Sequence, residues 1–96
     1  MLNIYVLKNN LTKSFTTPTF NAAGPEDTFR QSHNFLLLYP DKAQEQFLNI
    51  STVYHIGTFD DSNGDTVIFP KDQWKSYNLQ DSWDQIKSLE AIKNVN

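Results

Sequence analysis

The sequence predicts an α+β fold in the order ββαββα, with an antiparallel sheet of about four strands and helices packed on one face. Residues 2–7 alternate in the period-two manner of a strand with one buried face. Residues 50–60 and 66–69 form a second pair of β-rich segments around a turn rich in Asp and Asn. A helical pattern follows each pair. The 96 residues contain no repeat or linker, so a single domain over 1–96 is expected.

An amino-terminal hairpin is predicted from the first strand and the segment that follows it. KNNLTK indicates the turn, because asparagine tolerates positive φ and bonds to its own backbone. SFTTPTF is rich in β-branched and aromatic residues and is expected to return as the second strand. Pro18 has no N–H to donate, so this strand is expected to lie at a sheet edge or to end there.

The first helix is predicted within NAAGPEDTFRQSHNFLLLYP. Pro25 suits the first helical position, and Pro40 is expected to end the helix. Four residues at helical spacing give it an apolar face: Phe29, His33, Leu36 and Leu37. For residues 40–48, a short helical turn and a loop are both consistent with the pattern.

The central hairpin contains a glycine in an unusual place. Gly57 lies in mid-strand, which indicates a β-bulge or the close approach of another backbone. Phe59 is expected to anchor the core, and Asp60 to Gly64 to form a fixed turn. Residues 79–94 are predicted to form a carboxy-terminal helix.

The composition limits the classes of function. A net charge of −3 argues against a generic nucleic-acid binder, but residues 1–25 carry Lys8 and Lys13 and no acidic residue. There is no cysteine, so disulfides and thiolate metal sites are excluded. The longest apolar run, residues 35–39, is far shorter than the ~20 residues of a membrane span.

A nucleic-acid site is predicted in the amino-terminal hairpin. Tyr5 and Phe15 lie close in sequence to Lys8 and Lys13, and single-stranded nucleic acid is held by such a combination of stacking rings and phosphate-binding cations. The alternative is that these rings fill the core, which is common in small domains.

Catalytic and metal sites have weaker support. The turn from Asp60 to Asp65 fails the EF-hand spacing, and turn chemistry explains its residues without calcium. His33 and His55 lack a third ligand at zinc spacing. Nucleophile-elbow and phosphate-loop motifs are missing from the sequence. We therefore expect neither an enzyme nor a bound cofactor or metal.

The central hairpin also carries a family resemblance. Its motif is an aromatic residue, one residue, Ile-Gly, one residue and Phe-Asp, followed by a turn that ends in glycine. The residues that match it are Tyr54, Ile56, Gly57, Phe59, Asp60 and Gly64. Together with the order of elements over residues 2–70, this motif resembles the small nonstructural protein of gokushovirus-type microviruses, which are single-stranded-DNA bacteriophages.

The resemblance implies a noncatalytic phage protein that is associated with DNA binding or replication. We expect it to bind single-stranded DNA weakly during replication or packaging, in the cytoplasm of the bacterial host and without secretion. A homodimer would concentrate the scattered lysines. The alternative is a protein-interaction module that acts on a host or phage replication protein without binding DNA.

Overall fold

The fold is a five-stranded antiparallel sheet on which three α-helices pack, which confirms the predicted α+β class. A computed structural model describes residues 1–77 and 79–94. The strands are β1 Leu2–Asn9, β2 Thr19–Asn21, β3 Ser51–Phe59, β4 Thr66–Ile68 and β5 Lys75–Tyr77. The helices are α1 Pro25–His33, α2 Asp41–Ile50 and α3 Leu79–Asn94, with 3-10 turns at Asn34–Leu38 and Lys71–Gln73.

The pairing of β1 with β3 forms the centre of the sheet. β2 pairs with the other edge of β1, whereas β4 and β5 share the free edge of β3. β4 pairs with Gly57–Phe59, and β5 pairs with Val53–His55. The edge of β3 is thus covered by two short strands with a gap between them.

Gly57 has both of the features that were expected for it. Ile4 lies opposite Gly57 and Tyr5 lies opposite His55, so Ile56 is an extra residue in β3 and forms a bulge. A Cβ atom at Gly57 would overlap the carbonyl oxygen of Val67 in β4. The strand therefore needs glycine here because the neighbouring backbone occupies the place of a side chain.

The sheet has hydrophobic residues on both faces. The larger cluster lies between the sheet and the helices and contains Tyr5, Phe29, Leu36, Leu48, Val53, Leu79, Trp83 and Ile86. The smaller cluster consists of Ile4, Val6 and Ile56, with Tyr54, Phe59 and Trp74 packed against it, and includes no helical residue. Only one face of the sheet is therefore covered by helices. Phe59, which was expected to anchor the core, is half-buried and packs against the edge of the cluster on the other face.

One predicted element differs from the structure, and residues 40–48, left open between a helical turn and a loop, are helical from Asp41. The α-helix expected to reach Pro40 ends at His33, and a 3-10 turn follows it. Residues 41–50, whose conformation was open, form α2. The Gln44 side chain of this helix donates hydrogen bonds to the carbonyl oxygens of Leu36 and Tyr39, both at 2.9 Å, and so ties the 3-10 turn to α2.

The second strand of the amino-terminal hairpin is interrupted. Phe15 makes an isolated bridge to Lys8, and regular pairing resumes only at β2. Between them, the Thr16 hydroxyl accepts a hydrogen bond from the backbone N–H of Leu7 at 3.0 Å. This side-chain acceptor and Pro18, which has no N–H, explain why SFTTPTF does not pair along its whole length.

Candidate nucleic-acid interface

Five aromatic side chains and two lysines lie on the face of the sheet that the helices leave uncovered. Residues directly opposite each other in antiparallel strands point to the same side, so Lys8 shares this side with Phe15, Ile4 with Phe20, and Val6 with Tyr54. We call this surface the aromatic face. Its members are Phe15, Phe20, Tyr54, Phe59 and Trp74, with Lys8 and Lys71.

One half of the aromatic face is cationic. The Trp74 ring lies 6.0 Å from both Phe15 and Tyr54, and the Phe15 contact is edge-on at 89°. The Lys8 Nζ atom lies 5.7 Å from the centroid of Phe15, and the Lys71 Nζ atom lies 5.9 Å from that of Trp74. Both distances are within the range of cation–π attraction. We call these five residues the cationic half.

The 3-10 turn at Lys71–Gln73 positions Trp74. The Trp74 indole N–H donates a hydrogen bond to the carbonyl oxygen of Phe69 at 2.9 Å. The Trp74 backbone N–H donates to the carbonyl oxygen of Lys71. The turn thus directs both the ring and the ammonium group onto the aromatic face. Trp74 is half-buried and Phe15 is 46% exposed, so ring surface remains open to solvent.

Neither lysine of the cationic half has a carboxylate partner among the described side chains. Among the side chains that the structure describes, the ion pairs are Met1–Asp61, Arg30–Asp27 and Lys87–Asp41. None of them involves Lys8 or Lys71. Both ammonium groups are therefore available to an anion.

The other half of the aromatic face borders the acidic turn. Phe20 and Phe59 meet edge-on at 5.7 Å, and Phe59 is followed at once by Asp60. Because β1 rises ~3.3 Å per residue, Leu2, opposite Phe59, is about 20 Å from Lys8. The two ends of the aromatic face therefore differ in charge, with lysine at the Lys8 end and carboxylates at the turn.

Two carboxyl groups of the acidic turn, those of Asp60 and Asp61, have a lowered pKa. The Ser62 hydroxyl and backbone N–H both donate to Asp60, at 2.6 and 3.0 Å, and they lower the pKa of that carboxyl. The pKa of Asp61 is lowered chiefly by the amino-terminal ammonium group of Met1, 3.1 Å away. Gly64 adopts φ +81°, as expected of the turn.

Tyr5 does not belong to the interface that the sequence predicted. It is only 4% exposed, packs in the cluster beneath the helices and donates its hydroxyl to the carbonyl oxygen of Ala23 at 3.0 Å. This burial raises the pKa of its phenol. No ring face is left for a base, so we remove Tyr5 from the candidate site.

The other predicted residues lie at the surface. Lys8 and Phe15 are in contact, whereas Lys13 is exposed in the preceding turn with φ +63°. Sequence reasoning did not place Trp74 and Tyr54 in the site. The spacing of Lys71 and Trp74, with an aromatic residue three positions after a lysine, is a signal that could have found this pair.

The two histidines occupy different surroundings. His33 stacks on Phe29 at 4.9 Å and also contacts Phe35 and Phe47, and its burial lowers its pKa. His55 packs between Tyr5 and Phe69, at 5.2 and 5.4 Å. Within residues 1–77 and 79–94, no three His, Cys, Asp or Glu side chains are grouped to hold a metal ion.

A cleft lies at the gap between β4 and β5. It has a volume of about 390 Å³ and is lined by His55, Phe69, Gln73, Lys75 and Tyr77. The Nε2 atom of His55 is buried and has no hydrogen-bond partner in the part of the chain that the structure describes. The 3-10 turn therefore contributes to two surfaces, with Lys71 at the aromatic face and Gln73 in the cleft.

Comparison with known proteins identifies no family for the chain. None of the helices described is both long and apolar enough to cross a membrane. No protein-family profile, curated protein or solved structure matches the chain. The likeness to gokushovirus nonstructural proteins thus rests on the residues of β3 and its turn and stays a prediction.

Proposed function

We propose that this chain is a noncatalytic protein that binds single-stranded DNA weakly through the cationic half of its aromatic face. One observation carries the proposal: Lys8 lies over the partly exposed ring of Phe15 and Lys71 over that of Trp74, and neither lysine has a carboxylate partner among the described side chains. Unpaired bases stack on aromatic rings, and ammonium groups bind phosphates. The resemblance to a single-stranded-DNA phage protein, active in the cytoplasm of its host, agrees with this ligand.

The arrangement favours unpaired over paired nucleic acid. The bases of a duplex are stacked on each other and expose no ring face, so the rings of Phe15, Tyr54 and Trp74 can only serve a single strand. Each base stacked on a ring contributes ~1–3 kcal/mol. With a net charge of −3 and two lysines in the cationic half, the phosphate contribution stays small.

The charge contribution is tested by matched lysine reversals. We expect Lys71→Glu and Lys8→Glu each to weaken binding of a fluorescent oligothymidylate, because each removes a phosphate contact from the cationic half. Lys42→Glu is the control, because Lys42 is exposed on α2 and its replacement changes the net charge by the same amount. For two phosphate contacts, log K should fall with log salt at a slope of about −1.4. Equal loss in all three variants would indicate a net-charge effect and contradict the site.

Stacking is tested through tryptophan fluorescence. The chain has two tryptophans, Trp74 and Trp83, and Trp83 is buried in the core at 2% exposure. A Trp83→Phe variant therefore has a single indole, that of Trp74. We expect oligothymidylate to quench this fluorescence and Trp74→Ala to weaken binding by ~1–3 kcal/mol. Anisotropy of labelled DNA with the unaltered chain provides the same test if Trp83→Phe folds poorly. Absence of binding at low salt would refute the proposal.

A second candidate function is a protein-interaction module. Phe35 and Leu38 in the 3-10 turn after α1, and Tyr39 directly after that turn, are 45%, 88% and 53% exposed. Exposed apolar residues that are close together are typical of protein-binding surfaces. This function is favoured if no oligonucleotide binds at low salt and Leu38→Glu abolishes association with a purified replication protein.

A further inference from the structure

The cleft between β4 and β5 has the lining of a nucleotide site. His55 and Lys75 lie directly opposite each other on paired strands, and Val53 lies opposite Tyr77, so Lys75 and Tyr77 share the helix side of the sheet with His55. The cleft contains aromatic rings, one ammonium group and one side-chain amide. None of its five lining residues is acidic.

Each of these groups matches a part of a nucleotide. The rings of Phe69 and Tyr77 offer apolar walls to a planar base, and the amide of Gln73 offers a donor and an acceptor to the polar edge of that base. Lys75 is exposed and has no ion pair among the described side chains, so its ammonium group is available to bind a phosphate. A volume of about 390 Å³ lies within the range of ~300–1,000 Å³ that is usual for small-ligand sites.

His55 supplies an independent observation. Its ring meets Phe69 edge-on at 86°, and its Nε2 atom is buried and has no hydrogen-bond partner among the described residues. Buried polar atoms in folded proteins are normally paired. A hydroxyl or amide group of a bound molecule that reaches this atom would complete its hydrogen bonding.

We propose that this cleft binds one nucleotide, with the base against Phe69 and Tyr77 and the phosphate at Lys75. The same chemistry is offered by a free mononucleotide and by an unpaired nucleotide within a strand. The choice of nucleic acid as the ligand class rests on the proposed function. The cleft is nevertheless separate from the aromatic face, because Lys75 and Trp74 are consecutive in an extended segment and point to opposite sides of the sheet.

The test is a titration of isotopically labelled protein with thymidine 5′-monophosphate, followed by NMR. We expect saturable shifts of the His55 ring protons and of the amides around Gln73 and Lys75. Lys75→Glu should weaken this binding at least about tenfold, which corresponds to ~1.4 kcal/mol, whereas Lys75→Arg should retain it. Lys42→Glu, at an exposed position of α2, should leave it unchanged. Thymidine without phosphate should bind more weakly than the monophosphate.

An oligothymidylate titration distinguishes the two sources. If the nucleotide belongs to a strand, Lys75→Glu also weakens oligonucleotide binding, and the monophosphate competes with the strand. If the cleft takes free nucleotides, oligonucleotide affinity is the same in Lys75→Glu as in the parent. Either result supports the proposal that the cleft binds a nucleotide. Monophosphate binding without oligonucleotide binding would refute the proposed function alone. No saturable shift at His55, or equal shifts in parent and Lys75→Glu, would refute the nucleotide site.

Discussion

Replacing Gly57 with alanine tests the close contact between β3 and β4. The added Cβ would overlap the Val67 carbonyl oxygen and would lie 3.1 Å from the Cα atom and 3.2 Å from the Cδ1 atom of Ile68. Two of these three neighbours are backbone atoms, so the clash cannot be relieved by a side-chain rotation. β4 has to move away from β3, and its pairing at three residues is weakened.

The magnitude follows from the hydrogen bonds of this pairing. A backbone hydrogen bond contributes ~0.5–1.5 kcal/mol net. Losing about two of them on displacement of β4 therefore costs ~1–3 kcal/mol for Gly57→Ala. Gly57→Val adds two more methyl groups at the same place and should cost more, despite the better strand propensity of valine. For a domain of this size, each ~1 kcal/mol lowers Tm by about 4–8 °C.

The assay is chemical and thermal unfolding followed by circular dichroism. Gly24→Ala is the matched control, because nothing lies within 4 Å of a Cβ at that position and φ is −67°. Loss of the glycine N-cap and the reduced entropy of the unfolded chain nearly offset each other there, within ~0.5 kcal/mol. If Gly57→Ala is as stable as Gly24→Ala, the argument from the β3–β4 contact is wrong.

Two further predictions concern groups beneath the helices. Tyr5→Phe should cost ~0.5–1.5 kcal/mol of stability, because it removes the hydrogen bond to Ala23, and should leave oligonucleotide affinity unchanged; weaker DNA binding at unchanged stability would return Tyr5 to the interface. His33 has a pKa below its ordinary 6.5 because burial disfavours its charged form. The free energy of unfolding that depends on a neutral His33 is therefore fully present above pH 6.5 and is lost as the pH falls toward the pKa of the folded state. Unfolding between pH 7.5 and 5 should show a shallower loss of stability in His33→Phe than in the parent, and identical slopes would contradict this assignment.

The main strands and the last helix were predictable because their residues carry local patterns. Period-two alternation marks β1, and the Asp60–Gly64 turn marks the hairpin of β3 and β4. β5 has only three residues, two of them exposed, so it shows no hydrophobic alternation. It is a strand because it pairs with the edge of β3 that β4 leaves free. α2 was undecided for a similar reason. Its buried Gln44 donates from its amide nitrogen to two carbonyl groups of the segment before α2, which the sequence does not reveal.

The candidate site was predictable in part. Lys8 and Phe15 meet because they flank a turn, and that is a local property. Tyr5 was assigned wrongly although the strand period argues against it, since residues 5 and 8 are an odd number of positions apart and so point to opposite faces. Trp74 comes from a distant part of the chain and reaches the aromatic face only through the 3-10 turn that begins at Lys71.

The central pairing of β1 with β3 also determines how the chain can fold. It joins Leu2 to Phe59 and Asn9 to Ser51, so the nearest paired residues are more than forty positions apart in sequence. Closing such a loop costs conformational entropy before any contact is gained, and domains dominated by distant strand pairs fold in milliseconds to seconds. During synthesis β1 has to wait for β3, and the sheet can assemble only after Phe59 has left the ribosome. At ~5–20 residues per second, that delay lasts several seconds, during which local elements such as the hairpin of β1 with β2 and the helix α1 can form.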